Sequence, residues 1–279
     1  MKNRFFKTAG KYLRNRSFAA GCAMILFLFA VMCLSLVWTP YDPVKMIRGA
    51  AFRSPGAEHL LGTDNFGRDI FSRLITGAQS AFLVGTFTVL IGGIIGTALG
   101  SFAGYFGGMA DEVIMRVIDA QMAFPGVLIA LMIISIFGTG LENTIIALGI
   151  MSVPRFARMV RSGFLQYREA DFVNAAKARG AGSLRIMYIH ILPNILSQLV
   201  ITASLSFATA ILSETGLSYL GLGVQPPTPS WGMMLKDAQQ YIYLQPAQLV
   251  YPGIMITIMV LGFNFIGDGL RDILDAGSE

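Results

Sequence analysis

The stretch DFVNAAKARGAGSLRIMYIHILPN, Asp171–Asn194, lies between two long apolar runs and carries Lys177, Arg179 and Arg185. From Glu169 to Arg179 its pattern is that of a short helix. Phe172, Ala175, Ala176 and Arg179 recur three or four apart and share one side. Gly180 is placed to take the left-handed position that ends a helix, and Lys177 and Arg179 complement the negative end of its dipole. A second short helix is expected after Ser183 as N-cap, running toward Pro193. Two short helices joined by a glycine turn, with small alanine side chains outside, form a knob suited to a groove on another protein. A pair of interfacial helices lying on a bilayer would satisfy the same pattern.

The surroundings are apolar. Of 279 residues, 54% are hydrophobic and 13% charged, and the mean hydropathy is +0.62. A soluble domain carries about 25% charged residues. Half that value, with runs of about 20 apolar residues, points to a membrane. The net charge of +5 could suit nucleic acid, but the basic residues flank the apolar runs, as the positive-inside rule expects. Cys22 and Cys33 share one apolar run, about 16 Å apart along a helix and too far for a disulfide. The run from Phe18 to Trp38 is too long for a signal peptide, and WTPYDP is no cleavage site, so it is expected to stay as a first span.

Six apolar segments stand out: Ser17–Trp38, Ala81–Ala103, about Val117–Phe137, about Leu141–Val160, about Ile195–Leu217 and about Val250–Gly267. Each is long enough for the roughly 30 Å hydrocarbon core at 1.5 Å per residue. Pro154 and Arg155 cut the fourth short. The expected class is an all-α polytopic membrane protein with six transmembrane helices and cytoplasmic N- and C-termini. Residues 1–16 form a cytoplasmic segment, 17–38 the first transmembrane helix and 39–80 an extracytoplasmic loop. Residues 81–267 form a five-helix core with a cytoplasmic loop at about 169–193, and 268–279 a cytoplasmic tail. This orientation keeps Lys2, Arg4, Lys7, Lys11, Arg14 and Arg16 inside, with Arg155, Arg158, Arg161, Arg168, Lys177, Arg179 and Arg185. Arg116 and Arg271 also fall inside. The loop Thr39–Ser80 fits less well, since it holds five Lys/Arg.

Gly92, Gly96, Gly100 and Gly104 repeat at i, i+4. They give one helix face without side chains, for generic close packing or for sliding against a partner subunit. Glu214 is an acid well inside a span, a candidate for transport or for a structural hydrogen bond. Asp64, Arg68, Asp69 and Arg73 alternate in sign outside the membrane. They would order an outer gate or a binding-protein contact, or form a local salt-bridge scaffold. The prolines of QPPTPSW (Gln225–Trp231) forbid regular structure, and Trp231 can anchor at the interface.

No G-x-x-x-x-G-K-[ST] occurs; Gly10-Lys11 is followed by Tyr12, so the chain cannot cradle ATP phosphates by itself. His59 and His190 fall on opposite sides in this topology, which leaves no zinc site of usual spacing. G-x-S-x-G and H-E-x-x-H are absent. No catalytic constellation or metal site is expected.

NAAKARGAGSLRIMYIHILPN (Asn174–Asn194) resembles the EAA loop of binding-protein-dependent ABC importer permeases. Ala175, Ala176, Gly180, Leu192 and Pro193 match in register. Asn174 stands at the usual glutamate and His190 at the usual isoleucine, so an ion pair with an ATPase through Asn174 is not expected. HLLGTDNFGRDIFSRLITGAQS (His59–Ser80), GYFGGMADEVIMRVIDAQMAFP (Gly104–Pro125), PPTPSWGMMLKDAQQYI (Pro226–Ile242) and FNFIGDGLRDILD (Phe263–Asp275) resemble the C-type permease subunit of dipeptide, oligopeptide and nickel importers. The resemblance covers nearly the whole chain.

It implies the type I importer permease fold and a division of labour. A second homologous permease completes a heterodimer. One or two cytoplasmic ATPase subunits carry ATP and Mg, with no cofactor on this chain. An extracytoplasmic substrate-binding protein delivers cargo, the membrane lipid surrounds the spans, and nucleic acid has no part. The site residues implied are Asn174, Ala175, Ala176, Gly180, His190, Leu192 and Pro193 for ATPase coupling. Peptides are the expected cargo and nickel or a nickel chelate the alternative. A self-sufficient secondary transporter is the distant alternative, with Glu214 as its only clear coupling acid.

Overall fold

The structure, a computed structural model, describes residues 15–275. The basic residues before Asn15 that bear on orientation lie outside it. Apart from one isolated antiparallel bridge between Thr63 and Asp69, regular structure among the described residues is helical. The helices are α1 (Arg16–Val37), α2 (Ile70–Phe106), α3 (Gly108–Met122), α4 (Gly126–Phe137), α5 (Leu141–Tyr167), α6 (Asp171–Ala178), α7 (Ser183–Arg185), α8 (Leu196–Tyr219), α9 (Trp231–Gln239) and α10 (Ala247–Asp275).

Four of the expected segments have the length and apolar character of a span, and the structure corrects four boundaries. α1, α2, the continuous segment Ser183–Tyr219 and Ala247–Leu274 are long and apolar enough to cross a membrane. The third segment is a pair, α3 and α4, bent by 88°. Pro125 has no N–H to continue the ladder and pushes Phe124 out of helical backbone. The loop expected over 39–80 ends at Asp69, whose side chain caps α2 by accepting from the Ser72 amide. The 268–279 tail is helical as far as Asp275.

The fourth segment, expected to end near Val160, runs on to Tyr167. α5 runs 27 residues straight through Pro154. Pro154 cannot donate to the Ile150 carbonyl, and the Gln121 side-chain amide of α3 donates there at 2.7 Å. The carbonyl that Pro154 leaves open thus gains a partner from another helix. Gln121→Leu keeps the volume and removes the donor. We expect it to cost about 0.5–1.5 kcal/mol, read as a lower unfolding midpoint in detergent; an unchanged midpoint would show the carbonyl is satisfied otherwise.

α2 packs along α5. A Cβ on Gly96 would stand 2.5 Å from the Phe156 Cβ, 2.8 Å from the Val153 oxygen and 2.9 Å from the Ala157 nitrogen. Gly92, Gly100 and Gly104 meet Ser152, Ala157 and Phe164 in the same way. The glycine stripe is therefore spent on a backbone-to-backbone contact within the chain, not on a partner subunit. α1 is seated on α10 by a similar device. A Cβ on Gly21 would be 2.6 Å from the Gly262 oxygen, and one on Gly269 would be 2.7 Å from Phe18. Asn15 Nδ2 donates to Asp272 Oδ2 at 3.2 Å beside them. The main apolar core joins Leu28 of α1, Leu74 and Ala78 of α2, Phe207 and Ile211 of α8, Trp231 of α9 and Met259 of α10.

Candidate functional site

One end of the bundle carries the segment from α6 to α8. Its base is a separate core of Val160, Phe164, Val173, Ala176, Ile186, Met187, Ile191 and Ile195. Val173 and Ala176, three apart, turn inward and seat α6 on α5. α6 ends in a complete left-handed cap. Gly180 has φ +78°, its amide donates to the Lys177 carbonyl at 2.9 Å, and the Ala181 amide reaches the Ala176 carbonyl at 3.1 Å. These two bonds satisfy carbonyls that the helix itself leaves open.

The chain then re-enters the bundle through irregular turns. Gly182 precedes α7 with extended backbone, so Ser183 is the first helical residue and not the N-cap. Ile186–Ile191 is a π turn, closed by the Leu192 amide on the Met187 carbonyl, and Leu192–Ile195 is a 3-10 turn. Pro193 explains the change of pitch. It has no N–H for the Ile189 carbonyl, so the ladder widens before it and tightens after it. Asn194 Nδ2 bonds the His190 carbonyl at 2.6 Å.

The predicted loop residues divide between base and surface. Ala176 is buried, while Ala175, Asn174, Gly180 and Pro193 are exposed, and His190 and Leu192 are half-buried. The shared side expected for Phe172, Ala175, Ala176 and Arg179 is thus split. Phe172 and Ala175 face outward with Leu184, Tyr188 and Ile189. Asn174 Nδ2 donates to the Glu169 carbonyl at 3.0 Å, a neutral role within its own turn. The outward face is small and apolar at Ala175 and Ala178, with cationic rims at Lys177 and Arg179.

The opposite end of the bundle is a polar cap. Asp64 accepts from Arg68 Nε at 2.6 Å and lies 3.6 Å from Arg73 Nε, while Arg68 also reaches Asp237 at 3.2 Å. Asp69 does not join this pairing. It bonds His59 Nδ1 at 2.8 Å and the Ser72 hydroxyl at 2.7 Å. All four predicted residues are buried, so they hold the loop before α2 to α9 and present no surface of their own. A charge buried this deeply is costly without its partner, which makes the set a unit. Trp231, expected at the membrane interface, is buried instead. Its Nε1 donates to the Leu74 carbonyl at 2.8 Å, and its ring fills the space over Gly77.

Glu214 sits in a hydrogen-bonded knot at the end of α8. The Ser218 hydroxyl donates to it at 2.7 Å and accepts from the Val224 amide at 3.1 Å. Nearby, the Ser230 hydroxyl caps α9 by accepting from the Met233 amide at 3.2 Å. Through Ser218 the carboxylate ties the end of α8 to the loop that follows.

A feature missed by sequence reasoning is a groove between α5 and α8, reaching α2 and α10. Thr88, Ser152, Arg155, Ser206, Thr209 and Asn264 lie along it. Arg155, expected among the inside cations between the fourth and fifth spans, lies within α5. The usable signal was spacing. Ser152 and Arg155 recur on α5, and Ser206, Thr209 and Ser213 on α8, each at one-turn intervals.

Residues 96–278 match the family described as binding-protein-dependent transport system inner membrane component. The chain belongs to that family and is a multi-pass inner-membrane permease of an ABC transporter. It is 45% identical to a dipeptide transport system permease protein, DppC, of Alkalihalophilus pseudofirmus, over 90% of this chain and 81% of that one. It is 39% identical to the glutathione transport system permease protein GsiD of Pectobacterium atrosepticum, over 95% and 88%. It is 42% identical to a di/tripeptide transport system permease protein of Pseudomonas aeruginosa, over 92% and 87%. Among solved structures it resembles a chain of the inward-facing MetNI methionine ABC transporter, with TM-score 0.58, 20% identity and 72% of this chain covered. That likeness supports the type I permease fold.

Proposed function

We propose that this chain carries peptides across the inner membrane as one half of a heterodimeric permease, powered by separate ATPase subunits. The observation that carries the reading is the projecting α6–α7 segment. It is firmly seated from beneath, capped at Gly180, and offers a small apolar outer face that no other described part of the chain covers. A helix of this kind is the form that enters a groove on a partner. ATP and Mg would belong to that partner, and a binding protein would deliver cargo at the polar cap. Six spans, counting α3–α4 as one and α5 as another, would put both termini and α6 in the cytoplasm.

The names of the relatives concern dipeptides, di/tripeptides and glutathione, which favours peptides over nickel. Family membership replaces the secondary-transporter alternative. The test is a mild-detergent pull-down of the tagged chain from its host, with mass spectrometry. We expect a second permease and one or two ATPases, and peptide binding by any co-recovered binding protein. Recovery of the chain alone, under conditions that keep other membrane complexes whole, would overturn the reading.

A further inference from the structure

We propose that Arg155 binds the C-terminal carboxylate of a peptide passing through the groove between α5 and α8. The inference rests on the peptide-permease reading and adds a residue and a ligand group to it.

Arg155 lies about midway along α5, which spans Leu141–Tyr167. With α5 as one of the spans proposed above, a cation midway along it does not face lipid without a large cost, so it marks a water-filled path or a partner. α5 carries three arginines at spacing three. Arg158 pairs with Asp119 at 2.6 Å and Arg161 pairs with Asp111 through two bonds of 2.5 and 2.6 Å. Arg155 is exposed to the groove and has only the Thr209 hydroxyl, at 3.1 Å. Among the described residues no carboxylate lies within ion-pair distance of it. A guanidinium presents a planar fork of donors that matches a carboxylate with two parallel bonds.

The wall of the groove gives a second, independent observation. The hydroxyls of Thr88 and Ser206 are buried and have no hydrogen-bond partner among the described residues. Thr202, Ser204 and Thr209 show the usual solution, bonding the carbonyl four residues earlier on α8. Thr88 and Ser206 do not take it. Buried hydroxyls left open have capacity for a further partner, and a peptide backbone brings the donors and acceptors to meet them. The groove thus offers one free cation for a terminal carboxylate and a strip of hydroxyls for the amides behind it.

The test uses the whole complex in liposomes: this chain, its partner permease, the ATPases and the binding protein. Uptake is measured for a tripeptide with a free C-terminus and for its C-terminal amide, each at concentrations that load the binding protein. Wild type, Arg155→Lys and Arg155→Gln are compared. The ratio of free-acid to amide uptake is the readout, because the binding protein's own preference is common to all three and cancels. We expect Arg155→Gln to lower this ratio by about tenfold or more, the worth of one charge-assisted bond, and Arg155→Lys to keep a larger part of it. Subunit composition should stay as in wild type. An unchanged ratio overturns the proposal. Loss of the second permease from the Arg155→Gln complex also overturns it, by making Arg155 a subunit contact. If wild type imports neither form, the peptide reading itself fails and the inference falls with it, a result separate from a defect confined to Arg155→Gln.

Discussion

Ala175→Arg leaves the chain in the membrane at its wild-type level and lowers the co-purified ATPase by about tenfold or more. The two halves of this expectation have different causes. Within the chain, Ala175 is exposed on α6 and touches none of the packed base, so a larger side chain there disturbs little; such surface changes stay within about 0.5 kcal/mol. At an interface the same change puts a long cation where a methyl group fits, and residues at the centre of a contact can cost 2 kcal/mol or more. Ala176→Arg is the informative companion. Ala176 is 2% exposed, against Met187 and Phe164, so that variant loses the seat of α6 and falls in membrane level as well. Quantitative immunoblots of the membrane fraction, with the ATPase recovered on the tagged chain, separate the two. Full ATPase recovery on Ala175→Arg would remove α6 from the docking surface.

Gly96→Ala should destabilise the chain while Gly93→Ala does not, although the two glycines are three residues apart on one helix. The added carbon at Gly96 falls 2.8–2.9 Å from backbone atoms of α5. Backbone cannot rotate away as a side chain can, so α2 and α5 must separate. Overpacking of this kind costs about 1–3 kcal/mol, and Gly96→Leu should cost enough to clear most of the protein from the membrane. At Gly93 the nearest atoms are those of the Phe156 ring, at 3.8 and 3.9 Å, an ordinary contact. There alanine is neutral or slightly stabilising, since it restricts the unfolded chain more than glycine does. Unfolding midpoints in detergent for the pair decide the matter. Equal midpoints would mean that the stripe faces something other than α5.

Much of the architecture was legible because spans announce themselves. α1, α2, α8 and α10 are continuous apolar runs, and a bilayer demands little more of a sequence than that. The turn at Gly180 was legible for a local reason, since a glycine after a short helical pattern with cations in its last turn is a self-contained signal. What was hidden depends on residues far apart. α5 continues past Pro154 because Gln121 completes the missing bond, 29 residues away from Ile150. Asp64 is shared by two arginines, and the second acid of that cluster, Asp237, is 169 residues from Arg68. Ala175 and Ala176 look alike in sequence and differ only in what lies beneath them. Arg155 looks like a loop charge in the sequence because it follows a proline and interrupts an apolar run, and the groove it faces is made by helices far apart in the chain.

The glycine contact between α1 and α10 sets an order of events during synthesis. Phe18 and Gly21 find their partners only at Gly262, Ile266 and Gly269, at the far end of the chain. At 5–20 residues per second, ribosomes need roughly 10–50 s to make what lies between. Over that interval α1 is in the bilayer with its close-packing face against lipid or a chaperone, while α2 and α5 can already be locked together by their own glycines. The face of α1 that packs on α10 is thus among the last contacts of the described chain to form. A ribosome stalled before Gly262 would leave behind a chain whose middle is assembled and whose first span is held from α2 alone, by contacts such as Gln79 Nε2 to Ser35 Oγ at 2.9 Å.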